Sequence, residues 1–257
     1  MKKKLIALIV LFVAAGAMIY SGSQFIETEQ AYQESSETYR DIAHRVKKET
    51  VVKPVVTMVD KTGFSGYEIN FDALREINGD AETWLYSPDT AIDYPVMKAD
   101  DYNYYLYHLP DGEQNANGSL FIDYNCAPDF NDPMTVIYGH NMKSGSMFGS
   151  LKGYKEQAYY DEHPVMYLYT PQENFRIELL YGCVIGAGLW RERAFMYKEN
   201  VGALIAYAAH YTTFISDAEY TEGDRVVALS TCTYEFEDAR YVVIGVLKPY
   251  QTESEGR

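Results

Sequence analysis

The sequence has few cysteines and few basic residues, and each shortage excludes a class of function. Only three of the 257 residues are cysteine. Cys126, Cys183 and Cys232 lie too far apart for a dense disulfide framework and match no zinc ligand pattern, so we expect at least one free thiol. Lys and Arg number 22 against 37 Asp and Glu, a net charge of −15. Because phosphate contacts need a basic face, we expect no nucleic-acid partner.

The composition is typical of a folded protein, and the sequence contains one long segment without charged residues. Hydrophobic residues make up 47% and charged residues 23%, which excludes a disordered chain. Three lysines at residues 2–4 precede an uncharged stretch at residues 5–20. By the positive-inside rule the lysines stay cytoplasmic and the rest is exported. Cleavage near Ala17 as a signal peptide is one reading; we favour an uncleaved anchor, because Ile19 and Tyr20 extend the apolar stretch.

Downstream of the anchor the pattern predicts helices and then strands. Residues 27–48 read as an amphipathic helix, residues 51–66 as a linker, and residues 71–77 as a short helix stopped by Asn78-Gly79. A later helix is predicted over residues 201–214, after a capping Asn200. Eight short β-runs suggest a closed barrel or a sandwich: residues 83–86, 94–97, 119–122, 134–138, 165–170, 175–185, 225–231 and 241–247.

Three reactive side chains stand at the ends of these β-runs. Cys232 ends one run, Arg240 opens the next, and His140 follows the run 134–138. If the two late runs form an antiparallel pair, the thiol and the guanidinium reach the same end of the sheet. Nucleophile, proton carrier and fixed cation are the parts needed for acyl transfer through a thioester. The alternatives are a buried core Cys232, a surface His140, and an Arg240 that pairs with Asp238 or Glu237.

These residues carry a family resemblance. Leu229-Ser230-Thr231-Cys232 with Arg240 eight positions on, together with Tyr138-Gly139-His140-Asn141-Met142, resembles the sortase transpeptidases. Residues 137–154, and the run from Cys232-Thr233-Tyr234-Glu235-Phe236 to Ala239-Arg240, are similar to class B in particular. The resemblance covers about residues 70–250. One position departs: Asp101-Tyr102 stands where such enzymes often have Asp-Asn.

The resemblance implies a mainly β fold, an eight-stranded sortase-type β-barrel with N-terminal helices and an extra helix between late strands. We therefore divide the chain into a cytoplasmic tail and membrane anchor at residues 1–26, a helical and linker region at residues 27–68, and a catalytic barrel at residues 69–257. The expected location is the cell membrane of a Gram-positive bacterium, with a single span and the barrel outside.

The resemblance also implies an activity. Cys232 would attack a sorting signal of the Asn-Pro-x-Thr type after Thr, and His140 would protonate the leaving amine. Arg240 would hold substrate carbonyls or the oxyanion, while Leu106, Ser230 and Thr231 would bind substrate. The expected partners are surface proteins that bear a sorting signal and an amine of a peptidoglycan precursor. No metal or other cofactor is expected.

Two other functions, pilus polymerisation and a tethered binding module, stay open at this point, and a papain-like protease is disfavoured. The same chemistry could polymerise pili. A papain-like protease needs an early Cys in front of a helix, which Cys232 near the C-terminus does not provide. A membrane-tethered binding module could use the 25 tyrosines as a recognition surface, although tyrosine also suits barrel packing. The other four histidines, at positions 44, 108, 163 and 210, have no cysteines or paired acidic residues at the spacing of metal ligands. We interpret them as surface or core histidines without a catalytic role.

Overall fold

The structure, a computed structural model, describes residues 2–49, 66–196 and 200–250. Within these ranges the helices and strands, in chain order, are α1 (Lys2–Val46), β1 (Lys47–Glu49), β2 (Tyr67–Ile69), α2 (Phe71–Ile77), β3 (Ala81–Tyr86), β4 (Asp93–Lys98), β5 (Leu120–Ile122), β6 (Met134–Tyr138), α3 (Gln157–Glu162), β7 (Val165–Tyr169), β8 (Asn174–Gly186), α4 (Ala187–Met196), α5 (Val201–His210), β9 (Val226–Cys232) and β10 (Ala239–Tyr250). Two 3-10 helices, Tyr104–Leu106 and Gly149–Lys155, lie in the connections.

Strands β3 to β10 form one closed barrel with the order β10-β8-β7-β3-β4-β5-β6-β9. The two ends of this order are joined because β10 also pairs with β9. Each of the eight predicted β-runs overlaps one of these strands, so the barrel prediction is confirmed and the sandwich alternative is wrong. Most pairs are antiparallel, but β4–β5 and β6–β9 run parallel. The parallel β6–β9 pair decides where the reactive side chains meet.

The N-terminal helix α1 is one continuous element of 45 residues. Its first part exposes large apolar side chains such as Ile9, Phe12 and Ile19 and is long and apolar enough to cross a membrane. Its last part packs on the barrel, where Tyr39, Ile42 and Val46 are buried. We predicted an anchor followed by a separate helix over residues 27–48. The structure instead fuses the two and ends the helix at Val46, with β1 taking residues 47–49.

A separate two-stranded sheet and a short helix follow α1. β1 pairs with β2 in an antiparallel register. The predicted helix at residues 71–77 is confirmed as α2, and its cap is Asn70, whose side chain accepts from the Ala73 amide. The predicted linker at residues 51–66 lies, apart from Gly66, outside the described residues. The domain boundaries at residues 26 and 68 stay a prediction.

The connection between β8 and β9 contains two helices, α4 and α5. α5 begins at Val201 as predicted, and the Asn200 side chain accepts from the Ala203 amide. It ends at His210 rather than 214, and the chain then turns back towards the barrel to bury Phe214. The preceding α4 was not predicted, because the apolar residues of this short segment do not define one face of a helix.

Candidate active site

The end of the β9–β10 pair brings Cys232 and Arg240 together. The two strands are antiparallel, and Arg240 stands directly opposite Cys232 in the register. Side chains of directly opposed residues leave the same face of a sheet, with Cβ atoms about 4.5–5.5 Å apart. The predicted antiparallel placement of thiol and guanidinium is therefore confirmed.

His140 reaches the same edge through the parallel β6–β9 pair. Tyr138 stands opposite Ser230 at the last register position, and the Gly139 amide continues the ladder by donating to the Ser230 carbonyl oxygen at 3.2 Å. His140 and Cys232 each lie two residues beyond this position. The residues on either side of His140 are both tied to this strand end, Gly139 through Ser230 and Asn141 through the Cys232 carbonyl oxygen. The topology thus gathers imidazole, thiol and guanidinium at one edge.

Cys232 is the exposed thiol of the three. Cys126 and Cys183 are buried, and all three are free. Burial raises the pKa of the Cys183 thiol to about 12, which keeps it protonated and unreactive. The reading of Cys232 as a core residue is wrong, and the exposed thiol at the strand end is the one available to a reagent or substrate.

Arg240 is half-buried, and its guanidinium forms no ion pair with a carboxylate among the described residues. Its Nη1 donates to the Ala239 carbonyl oxygen at 3.0 Å. Among the described residues it forms no ion pair with Asp238 or Glu237, so that alternative is wrong. A guanidinium has five N–H donors in a planar fork. The remaining donors can serve a carbonyl or an oxyanion placed beside Cys232.

The imidazole of His140 is oriented by a backbone carbonyl. Its Nε2 lies 2.8 Å from the carbonyl oxygen of Leu106. A carbonyl oxygen can only accept, so Nε2 carries a hydrogen in this arrangement. Nδ1 is then the nitrogen that can exchange a proton with a reacting group. Sequence reasoning assigned Leu106 to substrate binding by its side chain, and did not anticipate this backbone contact.

Two polar side chains that sequence reasoning did not assign to the site contact Cys232 and the residues that follow it. The Asn141 Nδ2 donates to the Cys232 carbonyl oxygen at 2.8 Å. Lys155 donates to Thr233 Oγ1 at 2.8 Å and also binds the Glu235 carboxylate. Asn141 follows His140 directly, so it links the two loops that carry the imidazole and the thiol. Its position in the Gly-His-Asn motif was the available signal.

The predicted substrate-binding residues occupy different surroundings. Ser230 lies two residues before Cys232, and its buried Oγ has no hydrogen-bond partner within the described part of the chain. Thr231 is buried, and its Oγ1 donates to the Gly139 carbonyl oxygen at 2.7 Å, which ties β9 to the His140 loop. The Leu106 side chain is half-buried against the apolar cluster beside α1. Substrate contacts by these three residues stay a prediction.

A buried carboxylate, Asp123, binds Tyr138, which lies two residues before His140. The Asp123 Oδ2 accepts from the Tyr138 hydroxyl at 2.9 Å, and Oδ1 accepts from the Asn125 amide at 2.8 Å. Burial, and then the charge of Asp123, raise the pKa of Tyr138 far above its ordinary value, so the phenol stays a neutral donor. At the position that departs from the family pattern, the Tyr102 hydroxyl accepts from Asn125 Nδ2 at 3.2 Å. Asn125 therefore brings a side-chain amide to this region.

Metal ligands do not gather here. In residues 2–49, 66–196 and 200–250, no group of three or more His, Cys, Asp or Glu side chains is arranged to hold a metal ion. What the described site offers is a thiol, an imidazole and a guanidinium, which are groups used in nucleophilic catalysis.

Comparison with known proteins gives the family. A sortase-domain family model matches residues 85–248. Sortase B of Listeria monocytogenes is 32% identical over 177 residues, which cover 68% of this chain and 72% of that protein. The structure of sortase B from Bacillus anthracis superposes with a TM-score of 0.71 at 26% identity, covering 86% of this chain and 99% of that one. Sortase B of Clostridium perfringens superposes at 0.65 with 27% identity, covering 70% and 100%. The chain belongs to the sortase family of cysteine transpeptidases, and its relatives place it in class B.

Proposed function

We propose that this enzyme cleaves a C-terminal sorting signal of the Asn-Pro-x-Thr type after Thr and transfers the new acyl group to an amine of a cell-wall precursor. The observation that carries the proposal is the meeting of Cys232, Arg240 and His140 at one barrel edge, through the β9–β10 and β6–β9 registers. The exposure of Cys232, against two buried cysteines, supports its role as the nucleophile.

In the first half-reaction the Cys232 thiolate attacks the carbonyl carbon of the Thr residue in the signal. The carbonyl oxygen takes up the electron pair, and the free donors of Arg240 stabilise the resulting oxyanion or orient the neighbouring carbonyls. When the intermediate collapses, the C–N bond breaks and His140 gives its proton to the departing amine. A thioester on Cys232 remains and the C-terminal fragment leaves.

In the second half-reaction an acceptor amine attacks the thioester. The imidazole of His140, now neutral, takes a proton from the incoming nitrogen, the C–S bond breaks, and the Cys232 thiolate is regenerated. With water in place of the amine the same steps give hydrolysis. The acyl group therefore changes partner, and the enzyme returns to its starting state.

The test is a panel of sorting-signal peptides incubated with the enzyme, with and without an oligoglycine or diaminopimelate-type amine. We expect cleavage after Thr in an Asn-Pro-x-Thr peptide, and a new amide product when the amine is present. Cys232→Ala and His140→Ala should abolish both products. Matched controls are Cys183→Ala, which alters a buried thiol on β8, and His210→Ala, which alters an exposed imidazole at the end of α5. Full cleavage by Cys232→Ala would overturn the proposal.

We also propose that the apolar part of α1 anchors the enzyme in the cytoplasmic membrane with the barrel outside. The support is its exposed apolar surface and the three lysines at residues 2–4. Surface proteins emerging from secretion and lipid-linked wall precursors would both be within reach there. Cell fractionation should recover the protein at full size in the membrane. A secreted product that starts just after Ala17 would instead show a cleaved signal peptide.

A further inference from the structure

The carbonyl that orients His140 belongs to a segment that folds back on itself. The Ser119 amide donates to the Tyr105 carbonyl oxygen at 2.8 Å. Gly118 has φ +55°, and a Cβ added to it would lie 2.5 Å from the Tyr105 oxygen and 2.6 Å from the Leu106 oxygen. Residues 118–119 therefore lie directly against the peptide units that include the acceptor of the His140 hydrogen bond.

The other side of this segment is held by α1. The Tyr39 hydroxyl donates to the Gly118 carbonyl oxygen at 2.7 Å. The Asn117 Nδ2 donates to Ser35 Oγ at 2.6 Å and to the Ala31 carbonyl oxygen at 3.1 Å. Tyr39, Ser35 and Asn117 are all buried. Hydrogen bonds of this kind are costly to break, because a buried polar group that loses its partner keeps its full desolvation penalty.

We propose that Ser35 and Tyr39 of α1 are positioning residues for His140, acting through Asn117 and Gly118 on the Leu106 carbonyl. This rests on the proposed function, in which His140 moves the proton. Neither residue touches the reacting atoms. The helix that carries the apolar anchor thereby also fixes the direction of the imidazole, and the orientation of a proton-transfer group controls its rate.

The helix offers matched variants to test this. Tyr39→Phe removes only the hydroxyl and keeps the ring, which packs edge-on against Tyr94 with centroids 4.9 Å apart. Ser35→Ala removes the acceptor for Asn117. The control is Ser36→Ala, the next residue along the same helix, which is exposed and whose described contact is with Arg40. All variants are made in the full chain, in detergent micelles.

The first readout is steady-state cleavage of an Asn-Pro-x-Thr peptide. For Ser35→Ala/Tyr39→Phe we expect kcat to fall about tenfold with KM within about twofold of wild type, because the change misdirects the imidazole and replaces no residue assigned to substrate binding. Ser36→Ala should match wild type. If the double variant fails to fold, Tyr39→Phe alone should show a smaller fall in kcat. Equal kcat values in these variants and the Ser36→Ala control would overturn the proposal.

The second readout needs no substrate. Iodoacetamide on the folded protein reports on Cys232, since the other thiols are buried. The imidazole of His140 can take the thiol proton as Cys232 is alkylated, so His140→Ala should slow alkylation. The α1 double variant should slow it in the same direction, and should add nothing in the His140→Ala background. A double variant that alkylates at the wild-type rate, or a further loss without His140, would contradict the inference. If no peptide is cleaved, the proposed function fails and this second readout still decides the inference.

Discussion

Gly118→Ala tests how tightly residues 118–119 pack against the acceptor of the His140 hydrogen bond. The change adds one methyl group in a left-handed backbone conformation, with the Tyr105 and Leu106 carbonyl oxygens 2.5 and 2.6 Å from the new carbon. These are backbone atoms, so relief requires a shift of the chain itself. The left-handed conformation costs an L-residue roughly 1–2 kcal/mol, and overpacking typically adds about 1–3 kcal/mol. The free energy of unfolding should fall by about 2–5 kcal/mol.

The control separates the two costs. Gly223 also has a positive φ, +96°, but an added Cβ meets nothing within 4 Å. Its φ is further from the left-handed minimum near +57° than that of Gly118, so its backbone penalty is at least as large. Any extra destabilisation of Gly118→Ala over Gly223→Ala therefore measures the overlap with the carbonyls.

The assay is thermal unfolding of the full-length variants in micelles, followed by peptide cleavage at a temperature where all are folded. At about 2–4 °C per kcal/mol, Gly118→Ala should melt roughly 2–12 °C below Gly223→Ala. It should also lose kcat, since the Leu106 carbonyl moves, while Gly223→Ala keeps wild-type kcat. Equal melting temperatures with equal activity would refute the described packing.

Three further predictions concern the rest of the site. Arg240→Lys should lose about 100-fold in kcat/KM, because an ammonium keeps the charge but cannot make the forked contact. Near-normal activity would show that Arg240 contributes only its charge. Burial acts to raise the pKa of Glu235, but hydrogen bonds from Lys155 and Thr233 hold it below its ordinary value. Lys155→Met should therefore lower the free energy of unfolding by about 1 kcal/mol at pH 7. In urea titrations at a series of pH values, this difference should vanish as the pH falls through the lowered pKa of the folded protein. Denatured, unreduced protein should give three thiols and folded protein one fast-reacting thiol; a single thiol on denaturation would show a disulfide.

The strands could be predicted because their physics is local. Alternating apolar residues between turn signals define β6 and β8 in the sequence, and the structure repeats those limits within a residue or two. Cys232 and Arg240 could be placed together for the same reason, since a short connection between consecutive strands favours an antiparallel pair.

The parts that could not be predicted depend on contacts distant in sequence. Nothing local to β6 and β9 shows that they pair in parallel, although that pairing places His140. The His140 hydrogen bond to Leu106 spans 34 residues and ends on a backbone oxygen, which has no residue signature. The sequence predicted two segments in place of α1, because the polarity of the residues changes near Glu27. The backbone hydrogen bonds of a helix continue through such a change, and α1 is one helix.

The central claim, a thioester on Cys232, can be measured directly. The enzyme is mixed with an Asn-Pro-x-Thr peptide without acceptor amine, quenched in acid within seconds, and digested for mass spectrometry. We expect the peptide that contains Cys232 to gain the mass of the substrate up to Thr, and to lose that mass on treatment with hydroxylamine or an acceptor amine. Cleavage that proceeds without this adduct in the wild type, or an adduct that persists in Cys232→Ala, would contradict the account.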